Sequence, residues 1–326
     1  MAQINAIEIV VNGFLQSLGT WLRGPMLALT NLGNEEFFIL MLPTLYWCFD
    51  QIVGLRVGII FLMGNAVNSF VKLLFHNPRP YWISEKVKAY IHESSFGIPS
   101  GHAQTSATIW GWLACEIKKR WFTLVALLLI FLIGLSRLYL GVHFLSDVLL
   151  GWFIGGLTVW AFSAWQRKAG HWLKGQSLWV KLGLVFASGV GMIALVLFAR
   201  GLAGSWVMDP AWVGRAGDVD PLDLKGIFTL SGTWMGMLGG YVLLMEQKGC
   251  FLAGEGGWRR LVRFVVGVAG VLVLYLGLGR VFPKNNDMIS FVLRFVRYGL
   301  IGFWVSYLGP IVFEQLKLLK FAVEQE

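Results

Sequence analysis

Apolar runs separated by short polar breaks set the pattern of this chain. They occupy residues 36–49, 52–75, 103–117, 121–140, 143–165, 180–199, 226–245, 261–282 and 288–313. Most are long enough to cross a hydrocarbon layer about 30 Å thick, and in lipid a helix satisfies every backbone polar group internally. Nine membrane-crossing helices are therefore predicted, with 36–49 and 103–117 as the short ones. Residues 3–22 differ, because Glu8, Asn12, Gln16 and Ser17 interrupt the apolar run. That pattern suits an amphipathic helix lying in the membrane interface, ended by Gly24 and Pro25. The expected fold class is all-α: a polytopic membrane helical bundle of about nine spans with an N-terminal interfacial helix. The expected segments are the N-terminal helix at 1–25, a six-span core at 26–200 and a three-span extension at 201–326.

The breaks carry a second pattern. Nine alternating spans put the polar loops 76–102, 140–143, 201–225 and 283–287 on one side of the membrane. The linkers 118–120, 166–181 and 246–260 fall on the other side and are dense in Lys and Arg. Basic loops face the cytoplasm, so the polar loops are expected to be extracytoplasmic and the C-terminus cytoplasmic, in a plasma (inner) membrane of bacterial type. Arg280, Lys284, Arg294 and Arg297 run against this assignment. Glycines recur at short spacing at Gly151, Gly155 and Gly156, and again at Gly267, Gly270 and Gly277, which predicts close helix packing.

Composition removes the soluble alternatives. Of 326 residues, 56% are hydrophobic and 14% charged, against about 25% charged in soluble domains. The 16 Trp and 24 Phe suit aromatic belts at the membrane surfaces. The net charge of +9 then reads as basic loops against anionic lipid, with the bilayer as partner and no nucleic acid. Cys48, Cys115 and Cys250 stand singly, without the spacing of a disulfide framework or a zinc site. Residues 1–22 lack the basic start and compact apolar core of a cleavable signal.

Three polar clusters fall on one predicted side. In Lys72–Pro80, reading KLLFHNPRP, Lys72 closes a span and Arg79 opens the loop, with Asn65, Asn68 and Ser69 as a polar stripe behind Lys72. In Pro99–His102, reading PSGH, Ser100 is placed to cap a helix, and a helix start binds phosphate through free N–H groups and positive dipole. In Ser136–Asp147, reading SRLYLGVHFLSD, Asp147 follows His143 by four residues, one turn along the same face if the segment is helical. A carboxylate there can hold one imidazole nitrogen and leave the other free to attack. Three cations, Lys72, Arg79 and Arg137, beside a helix N-terminus call for an anion with several oxygens, and a phosphoryl group fits. One of His102 and His143 can serve as nucleophile, the other as acid for the leaving oxygen. His76, His92 and His171 read as interface residues. No carboxylate cluster is suited to magnesium, and no cofactor is expected.

The three clusters resemble the motifs of the type 2 phosphatidic acid phosphatase superfamily, Lys-x6-Arg-Pro, Pro-Ser-Gly-His and Ser-Arg-x5-His-x3-Asp, complete and in that order over residues 72–147. The resemblance implies a metal-independent hydrolase of phosphoric monoesters or diphosphates. It implies that His143 attacks phosphorus to form a phosphohistidine, that Asp147 orients it, and that His102 protonates the leaving group and later activates water. Lys72, Arg79, Ser100, Gly101 and Arg137 would bind the phosphoryl oxygens. Residues 32–50, LGNEEFFILMLPTLYWCFD, look more specifically like the branch of sphingosine-phosphate and dolichyl-diphosphate phosphatases. Glu35 and Glu36 could meet a substrate amine or hydroxyl there, or simply favour a helix start. Nine spans are also similar to glucose-6-phosphatase, which keeps a sugar phosphate open. The expected activity is hydrolysis of a membrane lipid phosphate or polyprenyl diphosphate on the extracytoplasmic face. The alternatives are phosphotransfer to another lipid or sugar, hydrolysis of a soluble sugar phosphate, and lipid or anion transport. The sequence specifies no oligomeric state.

Overall fold

The computed structural model describes residues 2–252 and 256–322, without the side chains of 2–5, 35, 36 and 252. In chain order the helices are α1 (Ala2–Ser17), α2 (Arg23–Asn31), α3 (Glu35–Thr44), α4 (Gln51–Phe75), α5 (Pro80–Ile83), α6 (Gly101–Ile117) and α7 (Arg120–Tyr139). They continue with α8 (Leu145–Lys174), α9 (Leu178–Ala203), α10 (Pro210–Ala216), α11 (Lys225–Gln247), α12 (Gly257–Val281), α13 (Met288–Phe303) and α14 (Gly309–Gln315). A two-residue ladder pairs β1 (Phe251–Leu252) with β2 (Lys320–Phe321). Among the described residues seven helical stretches are long and apolar enough to cross a membrane. The runs at 36–49 and 103–117 also form helices, and both are short. The protein is an all-α, multi-pass membrane protein. One expected break is smaller than its composition implied. α8 carries on through Arg167, Lys168 and Lys174, leaving only residues 175–177 between α8 and α9. Lys and Arg are good helix formers, and their long stems let them extend a span into the headgroup layer.

The chain divides into two compact units that interleave along the sequence rather than follow one another. The first takes in residues 1–37, 63–165 and 196–223 and contains all three polar clusters. Within it α8 lies close against α6. A Cβ on Gly151 would stand 2.8 Å from the Ser100 carbonyl oxygen, and one on Gly155 would stand 2.7 Å from that of Gln104. The glycine spacing therefore serves to bring the backbone of α8 against the start of α6. The loops around 76–100, 140–144 and 203–216 meet in this unit. Tyr90 N–H donates to the Leu140 carbonyl, His76 stacks on Trp206, and Arg215 Nε donates to the Trp82 carbonyl at 2.8 Å.

The second unit takes in residues 38–62, 166–195 and 224–326. Its core gathers Tyr46, Trp47, Leu55, Leu244, Phe251 and Phe313, with Trp47 Nε1 donating to the Val305 carbonyl at 2.7 Å. Gly267 leaves room for the Trp47 ring, and Gly270 for that of Trp304.

Candidate active site

Local backbone rules place each cation at a junction of helix and loop. Lys72 lies in the last turn of α4, and its Nζ donates to Ser95 Oγ at 3.0 Å and to the Phe96 carbonyl at 2.5 Å. Arg79 precedes Pro80, which disfavours helical backbone there and holds Arg79 extended at φ −90, ψ 156. Its guanidinium is 1% exposed and fully used. Nε donates to the Ser95 carbonyl (2.7 Å), Nη2 to Ser95 Oγ and the Phe96 carbonyl (both 3.2 Å), and Nη1 to the Val142 carbonyl (2.9 Å). Arg137 lies in the last turn of α7, wholly buried, with Nη1 donating to Thr30 Oγ1 at 2.6 Å and Nη2 paired with the Glu93 carboxylate.

Ser100 caps α6: its Oγ accepts from Ala103 N–H, and its own N–H donates to the Asp147 carbonyl at 2.9 Å. Gly101 opens the helix, 3.4 Å from Asn68 Oδ1 at the position a Cβ would take. Asn68 of the predicted stripe on α4 is therefore directed at this helix start, and its Nδ2 donates to Gln104 Oε1 at 2.8 Å.

The two imidazoles are held differently. His102 Nε2 lies 2.6 Å from Asn34 Oδ1, and the Asn34 amide is itself oriented by donating to Asn31 Oδ1. Nε2 of His102 therefore carries a proton. His143 is buried, with Nδ1 3.2 Å from Asp147 Oδ2 and Nε2 3.2 Å from Arg79 Nη1. A guanidinium can only donate, so Nε2 is the acceptor and Nδ1 bears the hydrogen toward Asp147. The lone pair of Nε2 thus points among the cations. Burial holds the His143 pKa well below the ordinary imidazole value, with Arg79 and then Arg137 acting in the same direction, which keeps the ring neutral at pH 7.

The helical spacing expected for His143–Asp147 needs correcting. α8 begins at Leu145, so His143 precedes the helix. The interaction survives because Asp147 occupies the third helical position and its Oδ2 reaches back to the Phe144 N–H at 2.9 Å, half of a capping box, and to the ring of His143. Helix capping and imidazole orientation are one interaction here.

The structure brings Lys72, Arg79, Ser100, Gly101, His102, Arg137, His143 and Asp147 into the first unit around one buried centre. The side chains of Glu35 and Glu36, the expected headgroup contacts, lie outside the described residues. Glu93, Thr30 and Asn34 also belong to this centre, and the sequence motifs do not include them. Nothing in the spacing of Thr30 or Glu93 marks them. Asn34 stands one residue before the acidic pair Glu35 and Glu36, and that adjacency is its only signal. Glu93 is the most informative of the three. Burial alone would raise its carboxyl pKa, but Arg137 first, then Arg79, His102 and Lys72, hold it well below the usual carboxylate range. An anionic group already occupies the cationic cluster. Among the described residues no group of three or more His, Cys, Asp or Glu is arranged to hold a metal ion.

A phosphoryl group entering this cluster would compete with Glu93 for Arg137. Glu93→Gln is expected to strengthen inhibition by vanadate, a phosphate analogue, roughly tenfold, about 1.4 kcal/mol. The check is an inhibition curve on each protein, and an unchanged or weaker effect in the variant would exclude the competition.

Comparison with known proteins matches residues 53–171 to a family model described as the PAP2 superfamily. Residues 228–322 match a second, described as a PAP2 superfamily phosphatase transmembrane extension. The chain is 22% identical to human glucose-6-phosphatase 2 over 321 residues, covering 86% of this chain and 88% of that protein. It is 31% identical to mouse sphingosine-1-phosphate phosphatase 1 over 128 residues, covering 37% of this chain and 30% of that protein. A crystal structure of a transmembrane PAP2-type phosphatidylglycerolphosphate phosphatase from Bacillus subtilis aligns with a TM-score of 0.46 at 24% identity, over 52% of this chain and 88% of that one.

Proposed function

The chain belongs to the PAP2 superfamily, with the superfamily's domain and its transmembrane extension both present, and from that premise we propose an integral-membrane lipid phosphate phosphatase acting through a phosphohistidine on the extracytoplasmic face. One observation carries the chemistry. The Nε2 lone pair of a neutral, buried His143 is aimed among fixed cations while Asp147 holds Nδ1. An incoming phosphoryl group displaces Glu93 from Arg137 and draws Arg79 off Nε2. Lys72, Arg79, Arg137, the Ser100 hydroxyl and the Gly101 N–H take its oxygens, in a water-poor site where preorganised donors are worth most. Nε2 attacks phosphorus, the P–O bond to the leaving group breaks, and His102, entering the step as the imidazolium beside the bound anion, gives that oxygen a proton and becomes neutral. Water then attacks the phosphohistidine, His102 takes the proton back, the P–N bond breaks and inorganic phosphate leaves. Each residue needed belongs to this chain, so the reaction as written requires no metal.

Two features support a lipid or polyprenyl substrate. The cluster lies at the ends of α4 and α7, helices that are apolar enough to face acyl chains. The chain is also similar to an enzyme named for sphingosine 1-phosphate, itself a lipid phosphate. Glu35 and Glu36 follow directly on Asn34, which touches His102, and this placement supports a headgroup role for them. The basic linkers at 118–120, 166–181 and 246–260 support the extracytoplasmic face. A second reading, hydrolysis of a soluble sugar phosphate, is favoured by the near full-length alignment with glucose-6-phosphatase 2.

Purified protein offered phosphatidic acid, sphingosine phosphate, undecaprenyl diphosphate and glucose 6-phosphate, with a chelator present, distinguishes these. Phosphate release from a lipid is the expected result. Release from glucose 6-phosphate alone selects the second reading, and release from none removes phosphatase activity altogether. Loss of turnover on chelation would contradict the metal-free route.

A further inference from the structure

α1 is amphipathic in an unusual sense: its polar stripe faces the protein. Glu8, Asn12 and Gln16 recur every fourth residue on one face, and Glu8 and Asn12 are buried at 7% and 1% exposure. Ile7, Val10 and Phe14 on the other face are 69%, 68% and 63% exposed. All three inward residues bond to the backbone on either side of His143. Glu8 accepts from the Ser146 N–H at 2.6 Å and from its hydroxyl at 3.1 Å, in the turn that carries Asp147. Gln16 donates to the carbonyls of Lys88 (2.7 Å) and Tyr139 (2.9 Å) and accepts from the Lys88 N–H. Asn12 lies between them. It spends its two amide hydrogens on two carbonyls, Leu138 at 2.8 Å and His143 at 3.1 Å.

The consequence is geometric. Residues 140–144 link the helix that ends just after Arg137 to the helix that begins beside Asp147, and they have no regular structure of their own. Gly141 turns this link at φ 75, with the Lys88 carbonyl pressed against the place a Cβ would take. Such a segment needs external partners for its buried polar groups. Asn12 supplies one at the carbonyl of His143 itself and another at the residue next to Arg137. One side chain therefore ties the residue next to Arg137 to the residue that bears the imidazole, beside the backbone bonds of the turn itself.

We infer that Asn12 is a positioning residue for phosphoryl transfer, and that α1 is a working part of the catalytic unit as well as an interfacial helix. Asn12 touches neither substrate nor reacting atoms and acts through His143 and Arg137. The inference rests on the phosphohistidine reading above. A displacement of about 1 Å at a reacting group can cost on the order of a hundredfold in rate.

The test uses the full-length chain and phosphatidic acid or glucose 6-phosphate, whichever the wild type turns over. Asn12→Ala and the isosteric Asn12→Asp are expected to lower kcat per folded molecule about a hundredfold. KM and inhibition by inorganic phosphate should stay within about threefold, since the cations that hold the phosphate remain. Asn12→Ser keeps one donor, so its kcat should fall between wild type and Ala, which covers the case in which Asn12→Ala does not fold. Gln16→Ala removes bonds from the same helix but none to His143, and should keep kcat within about threefold. If kcat per folded molecule is unchanged in the Asn12 variants, or if Gln16→Ala loses as much as they do, the inference is wrong. A wild type inactive on every phosphate offered would instead overturn the reading of the site, and this inference with it.

Discussion

His143→Ala is expected to abolish turnover, by at least about 10⁴-fold, while leaving a folded membrane protein. Removing the nucleophile deletes the covalent route and leaves only binding and electrostatic effects, which are small beside it. The cost to stability is bounded by what the ring touches. It is buried and meets two polar partners, Arg79 and Asp147. Each partner keeps others: Arg79 retains Val142, Ser95 and Phe96, and Asp147 retains the Phe144 N–H. A decrease of about 1–3 kcal/mol follows, too little to unfold most proteins of this kind. Phosphate release and a melting curve, measured on the same preparation, make the comparison. Labelled substrate should also leave acid-labile phosphate on the wild-type protein, and none on the variant. Retained activity in a folded His143→Ala protein would assign the nucleophile elsewhere.

Asp147→Asn is the second large effect, and its logic is that of the tautomer. Asp147 Oδ2 accepts from both His143 Nδ1 and the Phe144 N–H. An amide in the same place offers one oxygen and one NH₂. If the NH₂ takes the place of Oδ2, the Phe144 N–H loses its acceptor, Nδ1 must accept, and the ring proton moves to Nε2. There it confronts Arg79 Nη1, donor against donor, and the attacking lone pair is gone. If the oxygen takes that place, the tautomer survives, but the charge that would stabilise the imidazole as it bonds phosphorus does not. Either way kcat should fall by roughly 10³–10⁴, with KM little changed, because the oxygen-binding cations are untouched. Nitrogen-15 spectra of the His143 ring separate the two cases. A variant with wild-type kcat would show that Asp147 serves only to cap α8.

Much of this molecule follows from one-dimensional pattern. The nine apolar runs all form helix among the described residues, because a backbone in lipid has almost no other way to satisfy its N–H and C=O groups. Lys72, Arg79, Ser100, His102, Arg137, His143 and Asp147 could be chosen because ionisable and capping residues at span ends are costly unless used. The glycines at 151 and 155 announced a close approach, although not which helix they would meet. The reach of Asp147 to His143 is expected from helical spacing and is achieved by capping. The four-residue offset is informative even though the helix starts later.

What the chain order could not supply was partner identity. Glu93 pairs with Arg137 across 44 positions, Asn12 reaches His143 across 131, and Thr30 meets Arg137 across 107. A hydrogen bond depends on position in space, and no periodicity encodes such separations. The polar residues of α1 show the difference most clearly. By sequence they interrupt an apolar helix. In the folded molecule the apolar face turns outward, and of the interruptions Asn12 holds the carbonyl of His143 while Glu8 holds the turn at Ser146. Membrane helices allow this inversion because lipid accepts the apolar face, while a buried amide or carboxylate must find its partner inside the protein. The sequence by itself determined the membrane helices and which polar groups stand at their ends. The tertiary structure alone decided which of those groups meet, which nitrogen of His143 accepts and which donates, and that the Glu93 carboxylate pairs with Arg137 among the cations.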